Sequence, residues 1–325
     1  MNQSTQFQLP KKPFLDQNHT MSKILIAGGT GLVGTRLSQL LNERGAEVVH
    51  LSRKKNSNAS YPTFVWDTKK GSIEAAAFDD VDYIINLAGA GIADRLWTNS
   101  RKKLLIESRV QTTQLLSKYI QQLDKKPKAF LSAAAIGIYG DRGDEILTEE
   151  TAIGQNGFMV QCCEEWEAAI TDLATATSVR TATFRIGIVL STKGGALPKM
   201  LLPLKVFTAS YFGDGSQWYS WVHIDDVCNI FMHAIDNETI SGTYNATTST
   251  PLTNKDLTKR MVKALGKRAL VVPAPKATLR LGMGEMADVV LNSNKVLPKR
   301  LEAAGFQFQF PTFEEAVKDV VERKI

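Results

Sequence analysis

The sequence predicts an α/β protein built on a doubly wound parallel sheet, with a smaller, mainly helical C-terminal region. Three observations carry this. Short apolar runs alternate with amphipathic helix patterns from Lys23 to Leu190. The run Val81–Leu87 is almost continuously apolar, as in strands buried on both faces. The stretch KILIAGGTGLVG, Lys23–Gly34, joins a strand to a helix through Gly28, Gly31 and Gly34.

The first unit already has a chemistry. Glycines permit a tight turn and close approach to a pyrophosphate, and unpaired amides at a helix N-terminus point at it, so Gly28, Thr30, Gly31, Leu32, Val33 and Gly34 are candidate binding residues for a dinucleotide. The fold expected is therefore of the Rossmann type. Leu32, Leu37, Leu40 and Leu41 give the next helix its apolar face, and Gly45 ends it.

A second strand, 47–51, delivers Ser52, Arg53, Lys54 and Lys55. An NAD site wants an acid there for the ribose hydroxyl, and an NADP site wants a cation for the 2′-phosphate. No acid lies between Leu51 and Phe64, so Ser52 and Arg53 predict NADP. A third strand is expected at 64–66. The fourth ends in NLAGAG, where Leu87, Ala88 and Gly89 would let the adenosine or ribose half of the cofactor lie against the backbone.

A long helix is expected from 98 to 123, with Arg109 placed either to pair with a surface acid or to turn toward the cofactor. The fifth strand runs from Ala129 into SAAAIGIYG, Ser132–Gly140, and a helix over 158–176 carries Phe158, Cys162, Trp166 and Ile170 as a core stripe. Glu164, Glu165 and Glu167 read as an exposed or capping acidic face. The sixth strand is expected over 180–190. Beyond it come the cluster Trp218, Tyr219 and Trp221, then VHIDDV, where Asp225 or Asp226 is expected to cap a helix over 227–235 rather than to join His223 in a metal site. The C-terminal part reads as a helix, a short FQFQF strand (306–310) and a final helix. The expected division is a polar extension over 1–20 without fixed structure, a dinucleotide-binding domain over 21–192, and a substrate-side region over 193–325 of which the part near 218–246 rejoins the first domain. Met21 offers an alternative start.

Composition narrows the class. Apolar residues at 43% and charged residues at 22% of 325 suit a globular chain. Cys162, Cys163 and Cys228 lack zinc spacing and suit a reducing compartment, so the cytoplasm and no metal are expected. The net charge of +6 comes from lysines scattered over expected helices, without a basic stripe carrying aromatics; no nucleic-acid and no membrane partner is expected, and the oligomeric state is left open.

The motifs GGTGLVG, the SR after the second strand, NLAGAG, SAAAIGIYG and SWVHIDDV, together with the segment Gly284–Phe308, resemble the extended and atypical short-chain dehydrogenase/reductase superfamily, in its epimerase-family branch with a characteristic C-terminal segment. The resemblance runs from Met21 to the end. It implies NADP binding with Arg53 at the 2′-phosphate, Leu87 and Ala88 along the cofactor, and Arg109 of the SRV motif nearby. It also implies a tyrosine tuned by a lysine four residues on, with a serine or threonine holding the substrate oxygen. Those positions here fall near Phe158 or Met159, near Cys162 or Cys163, and near Ala134, with Ser132 two residues earlier. No catalytic residue is assigned. Tyr139 reads as an acid or, since no lysine is placed to tune it, as an aromatic packed beside the cleft. Two functions follow: an NADP-dependent oxidoreductase or epimerase acting on a small polar or nucleotide-sugar-like substrate, or a catalytically silent protein that senses NADP(H).

Overall fold

A computed structural model of the chain describes residues 22–55 and 58–325, so the expectation for residues 1–20 lies outside the described residues. The strands β1 (Lys23–Ala27), β2 (Glu47–Ser52), β3 (Thr63–Asp67), β4 (Ser72–Ile73), β5 (Tyr83–Asn86) and β6 (Ala129–Ala135) form one sheet with Thr181–Ile186 and Gly242–Ala246. From one edge the order is 242–246, 181–186, β6, β5, β1, β2, β3, β4, and only β4 runs antiparallel. Ile24 to Ala27 and Ile84 to Ile85 are almost wholly buried, as an apolar strand covered on both faces requires.

The chain runs outward from β1 through β2, β3 and β4, then crosses back to place β5 on the other side of β1. That reversal opens a crevice at the carboxyl ends of β1 and β5. The helices α1 (Leu32–Glu43), α2 (Asn99–Gln122) and α3 (Phe158–Thr177) cover the sheet. Cys162, Trp166 and Ile170 bury the expected stripe of α3, while Phe158 meets Trp97 edge-on at 4.8 Å.

A second core joins Trp221, Tyr219, Leu257, Met261, Phe313 and Val317 between the helices Asn254–Ala264 and Phe313–Arg323. Beside it the strand Thr208–Phe212 pairs in parallel with Leu270–Ala274.

Several local expectations are corrected. The helix of VHIDDV is Ile224–Asp236, and its cap is His223, whose Nδ1 accepts the Asp225 amide at 3.0 Å. Asp225 instead takes Arg36 and Arg323, and Asp226 accepts the amides of Gln309 and Phe310 at 2.7 and 3.0 Å. Because Asp226 takes those amides, FQFQF forms no strand. The strand expected at 180–190 breaks at Gly187, where a Cβ would lie 2.4 Å from the Ser220 carbonyl oxygen, and Ile188–Leu190 pairs separately with Trp221–His223.

Candidate functional site

The glycine turn leaves β1 at Gly28, whose φ of +84° belongs to the left-handed region. A side chain there is excluded twice over, since a Cβ would stand 2.8 Å from the carbonyl of Leu87. Gly34, inside the first turn of α1, would put a Cβ 2.3 Å from the Gly28 carbonyl oxygen. These approaches close the turn onto β1 and seat the Leu87–Ala88 backbone against it. Gly31 caps α1 without a side-chain hydrogen bond, and no acid occupies the first turn. The amides of Leu32, Val33 and Gly34 have no partner within the helix, and they stand beside exposed Thr30 and Gly31. Such an end is suited to an anion.

Beneath this turn lies a residue that sequence reasoning missed. The ring of His50 fills the space under Gly29, and its Nε2 is 2.7 Å from Ser38 Oγ, which donates to the Gly34 carbonyl at 2.7 Å. Burial pushes His50 down to about 4 from the usual 6.5, so the imidazole is neutral near pH 7. A buried histidine facing out of β2 toward a glycine turn carries no spacing signal of its own.

At the end of β2, Ser52 is half-buried and accepts the Lys54 amide at 3.4 Å. Arg53 is exposed, and it forms no ion pair or side-chain hydrogen bond among the described residues. Across the crevice, Asn86 Oδ1 accepts the Ala88 amide at 3.2 Å while its amide donates to Thr113 at 3.2 Å, which fixes the turn at Leu87 and Ala88.

Arg109 pairs with no surface acid among the described residues and turns instead onto the loop after β5. Its guanidinium lies against Gly89, donates to the carbonyls of Leu105 and Ala90 at 2.8 and 3.1 Å, and sits 5.0 Å over the ring of Trp166. Ser108 Oγ accepts the Ala90 amide at 3.0 Å, and Trp97 Nε1 donates to the Ile92 carbonyl at 2.9 Å. The loop after β5 is thus stitched to α2.

The side of α3 facing the end of β6 carries Met159 and Cys163, one turn apart. A Cβ on Gly137 would stand 2.9 Å from Met159 Cε and 3.7 Å from Cys163 Sγ. Burial raises the Cys163 thiol far above its ordinary range, which removes it as a nucleophile near neutral pH. Ser132 is fully buried, with its hydroxyl on the Ala133 carbonyl at 3.0 Å.

Tyr139 is fully buried as well. Its hydroxyl accepts from Arg185 at 2.9 Å and has Asn245 Oδ1 at 2.8 Å and the Thr148 carbonyl at 3.0 Å as acceptors. Burial pushes the phenol above its usual value against the opposing pull of Arg185. Arg185 in turn makes a two-pronged pair with Glu167 at 2.7 Å, so Glu167 belongs to a buried network rather than to the exposed face of α3.

The aromatic cluster divides. Trp221 is fully buried against Phe313 at 5.4 Å, whereas Trp218 is half-buried, donates to Asp144 at 2.6 Å and holds Lys295 4.0 Å above its ring. A cleft of about 360 Å³ opens between the start of α2, the start of α3 and the C-terminal segment, lined by Lys102, Gln155, Asn156, Phe158, Glu164 and Glu285. Lys102 pairs with Glu285 across it and lies 5.3 Å over the ring of Phe158. No group of three or more His, Cys, Asp or Glu side chains among the described residues could hold a metal.

Comparison with known proteins gives this geometry a context. Residues 24–247 match the family model described as NAD dependent epimerase/dehydratase family, and residues 274–320 match a domain of unknown function, DUF1731. The chain is 34% identical over 302 residues to the Homo sapiens epimerase family protein SDR39U1, covering 92% of this chain and 99% of that one. It is 32% identical over 299 residues to the epimerase family protein YfhF of Bacillus subtilis, covering 92% of this chain and 97% of the relative. Among solved structures, that of the human protein with NADPH superposes with a TM-score of 0.82 at 32% identity, over 92% of this chain and 99% of that one. A nucleoside-diphosphate sugar epimerase from Corynebacterium glutamicum gives a TM-score of 0.73 at 32% identity, over 92% of this chain and 57% of that one.

Proposed function

The chain belongs to the NAD-dependent epimerase/dehydratase family, as an atypical short-chain dehydrogenase/reductase of the SDR39U1 type, and from that premise we propose that it binds NADP(H) in the crevice between β1 and β5. The observation that carries the proposal is the cradle itself. A Cβ would fill the space at Gly28 and at Gly34, the N-terminus of α1 beside it has no side-chain cap, and Arg53 at the end of β2 has no acidic partner among the described residues.

In this reading the backbone from Gly28 to Gly34, including Thr30, Gly31, Leu32 and Val33, holds the pyrophosphate. Ser52 and Arg53 take the 2′-phosphate, and Leu87, Ala88 and Gly89 run along the adenosine or ribose half. Arg109 stiffens the loop beside them. The human relative of similar fold was solved with NADPH, which supports the choice of cofactor. The buried free thiols Cys162, Cys163 and Cys228 suit a reducing compartment, and we place the protein in the cytoplasm.

The bound nicotinamide would supply or accept a hydride. The reaction we propose is an oxidation–reduction or epimerisation of a small polar or nucleotide-sugar-like compound, taken up in the cleft of Lys102, Asn156 and Glu164. It does not run through a tyrosine–lysine couple, because Met159 and Cys163 occupy the facing turn of α3 and Tyr139 is buried. The same observation favours a second reading, a silent protein that reports NADP(H) levels to a partner. Mixing the protein with NADPH and a panel of carbonyl compounds and sugar nucleotides separates the two. Oxidation of NADPH with one substrate class supports the enzyme, and binding without turnover across the panel supports the sensor.

A further inference from the structure

Two stretches of this chain carry basic residues and no acidic ones. Residues 193–213 hold Lys193, Lys199 and Lys205, and residues 257–284 hold Lys259, Arg260, Lys263, Lys267, Arg268, Lys276 and Arg280. With 39 basic and 33 acidic residues in the whole chain, the remainder keeps 29 basic against 33 acidic, so the entire positive balance resides in these stretches. In sequence they lie more than 40 residues apart, and the cations read as dispersed. The fold gathers them.

The strand Thr208–Phe212 pairs with Leu270–Ala274, the Leu270 amide donates to the Phe207 carbonyl at 2.8 Å, and Lys205 and Lys267 line one surface groove with Leu201, Leu265 and the ion pair Lys318–Glu322, which leaves the groove net positive. Only Arg260, Lys276 and Arg280 of the ten cations find an acidic partner among the described residues; the other seven form no ion pair.

The same two stretches expose apolar side chains. Leu202, Val206, Phe207, Leu270 and Leu281 are between 61% and 89% exposed and are the five most exposed large hydrophobic residues among those described. Phe207 is also held at a φ of +56°, rare for an aromatic residue, with its ring turned to solvent. Nothing in the fold of the lobe makes use of that exposure.

We propose that this lobe is a peripheral docking surface for an anionic lipid bilayer, with Phe207, Val206, Leu202 and Leu270 entering the headgroup boundary and the surrounding lysines facing acidic headgroups. Charge and side-chain type select this occupant. Lysine is depleted in the buried centre of protein–protein interfaces, where Tyr, Trp and Arg dominate. Aliphatic residues and one phenylalanine ringed by lysine instead match surfaces that insert shallowly and hold on by charge. No helix among the described residues is long and apolar enough to cross a membrane, so the contact is peripheral. Lys205, Phe207, Lys267 and Leu270 are not among the residues assigned to the cofactor crevice, and the proposal does not rest on the function assigned to it.

The test is sedimentation of the full chain with phosphatidylcholine vesicles, with and without phosphatidylserine, at low and high salt. The expected result is binding only with phosphatidylserine, weakened as salt shortens the reach of charge. Lys205→Gln, Lys267→Gln and Arg268→Gln should each lower the partition coefficient roughly fivefold, the equivalent of about 1 kcal/mol. The double variant Val206→Ser, Phe207→Ser should release the protein with all cations in place. Unchanged circular dichroism and melting temperature certify that each variant is folded, and any variant that fails this is replaced by Leu202→Ser. The proposal is overturned if the wild-type protein stays in the supernatant with phosphatidylserine at low salt, or if binding survives both sets of substitutions. It is also overturned if the chain is a dimer in solution that Phe207→Ser dissociates, which would assign the face to a second copy.

Discussion

Replacing Gly34 with alanine probes the cradle most sharply, because helix propensity and packing pull in opposite directions. Alanine is about 1 kcal/mol better than glycine inside a helix. Here, however, the added Cβ would lie 2.3 Å from the Gly28 carbonyl oxygen and 2.8 Å from the Gly29 Cα. Ordinary contact begins at 3.4 Å, so α1 and the turn must separate by 1.1 Å, and neither neighbour is a side chain that can rotate away. Overpacking of this kind costs about 1 to 3 kcal/mol, which outweighs the propensity gain.

The functional cost is larger. Prising α1 from the turn would disturb the free amides at its N-terminus that would hold the pyrophosphate, and hydrogen bonds weaken steeply with distance and angle. Losing even one bond to a charged group removes about 1.5 to 3 kcal/mol, a loss of tenfold or more in affinity. Gly282→Ala is the control, since a Cβ there meets open space in the helix Lys276–Met283 and touches no part of the turn. Fluorescence titration with NADPH, alongside thermal unfolding, should give Gly34→Ala at least a tenfold weaker Kd and a lower Tm, with Gly282→Ala close to wild type. Equal Kd values for Gly34→Ala and wild type would refute the reasoning.

Three further substitutions follow from the geometry. Arg53→Glu should weaken NADPH by well over tenfold and leave NADH nearly unchanged in paired titrations, because a charge-assisted contact is lost and repulsion added; equal loss for both cofactors would count against Arg53 at the 2′-phosphate. Tyr139→Phe leaves Arg185 and Asn245 without the hydroxyl between them, so chemical denaturation should show a loss of about 1 to 3 kcal/mol with NADPH affinity unchanged. A variant with wild-type stability and abolished turnover would instead make Tyr139 catalytic. For His50, the unfolded chain takes up a proton near 6.5 and the folded one resists until about 4, so the unfolded state binds more protons in that window. Stability should therefore fall as pH drops from 6.5 to 4, by at most about 3 kcal/mol, and level off below. Unfolding of His50→Asn measured across that window should show a shallower slope, and an identical slope would remove His50 as its source.

The β1–turn–α1 unit, and the place of Arg53 just after β2, were legible in the sequence because strand period, glycine spacing and helix period are local. The same holds for β5 and for the core stripe of α3. What was not legible depends on distant partners. Tyr139 is held by Arg185 and Asn245, 46 and 106 residues away. Glu167 was drawn to the surface by its acidic neighbours, although Arg185 lies on a strand no helical pattern reveals. The alternation of FQFQF suggested a strand, but a strand needs an edge to pair with, and Asp226 took its amides first. His223 became a cap where two aspartates were at hand, because both carboxylates were committed elsewhere. The basic lobe is the same lesson in charge. Neither stretch is remarkable alone, and only the pairing of 208–212 with 270–274 brings their cations together.

The central claim is that the crevice between β1 and β5 selects NADP(H), and side-by-side titration of the wild-type protein with NADPH and NADH tests it most directly. The account predicts that NADPH binds at least tenfold more tightly, with the difference shrinking as salt screens exposed Arg53. Equal affinity, or preference for NADH, would contradict it.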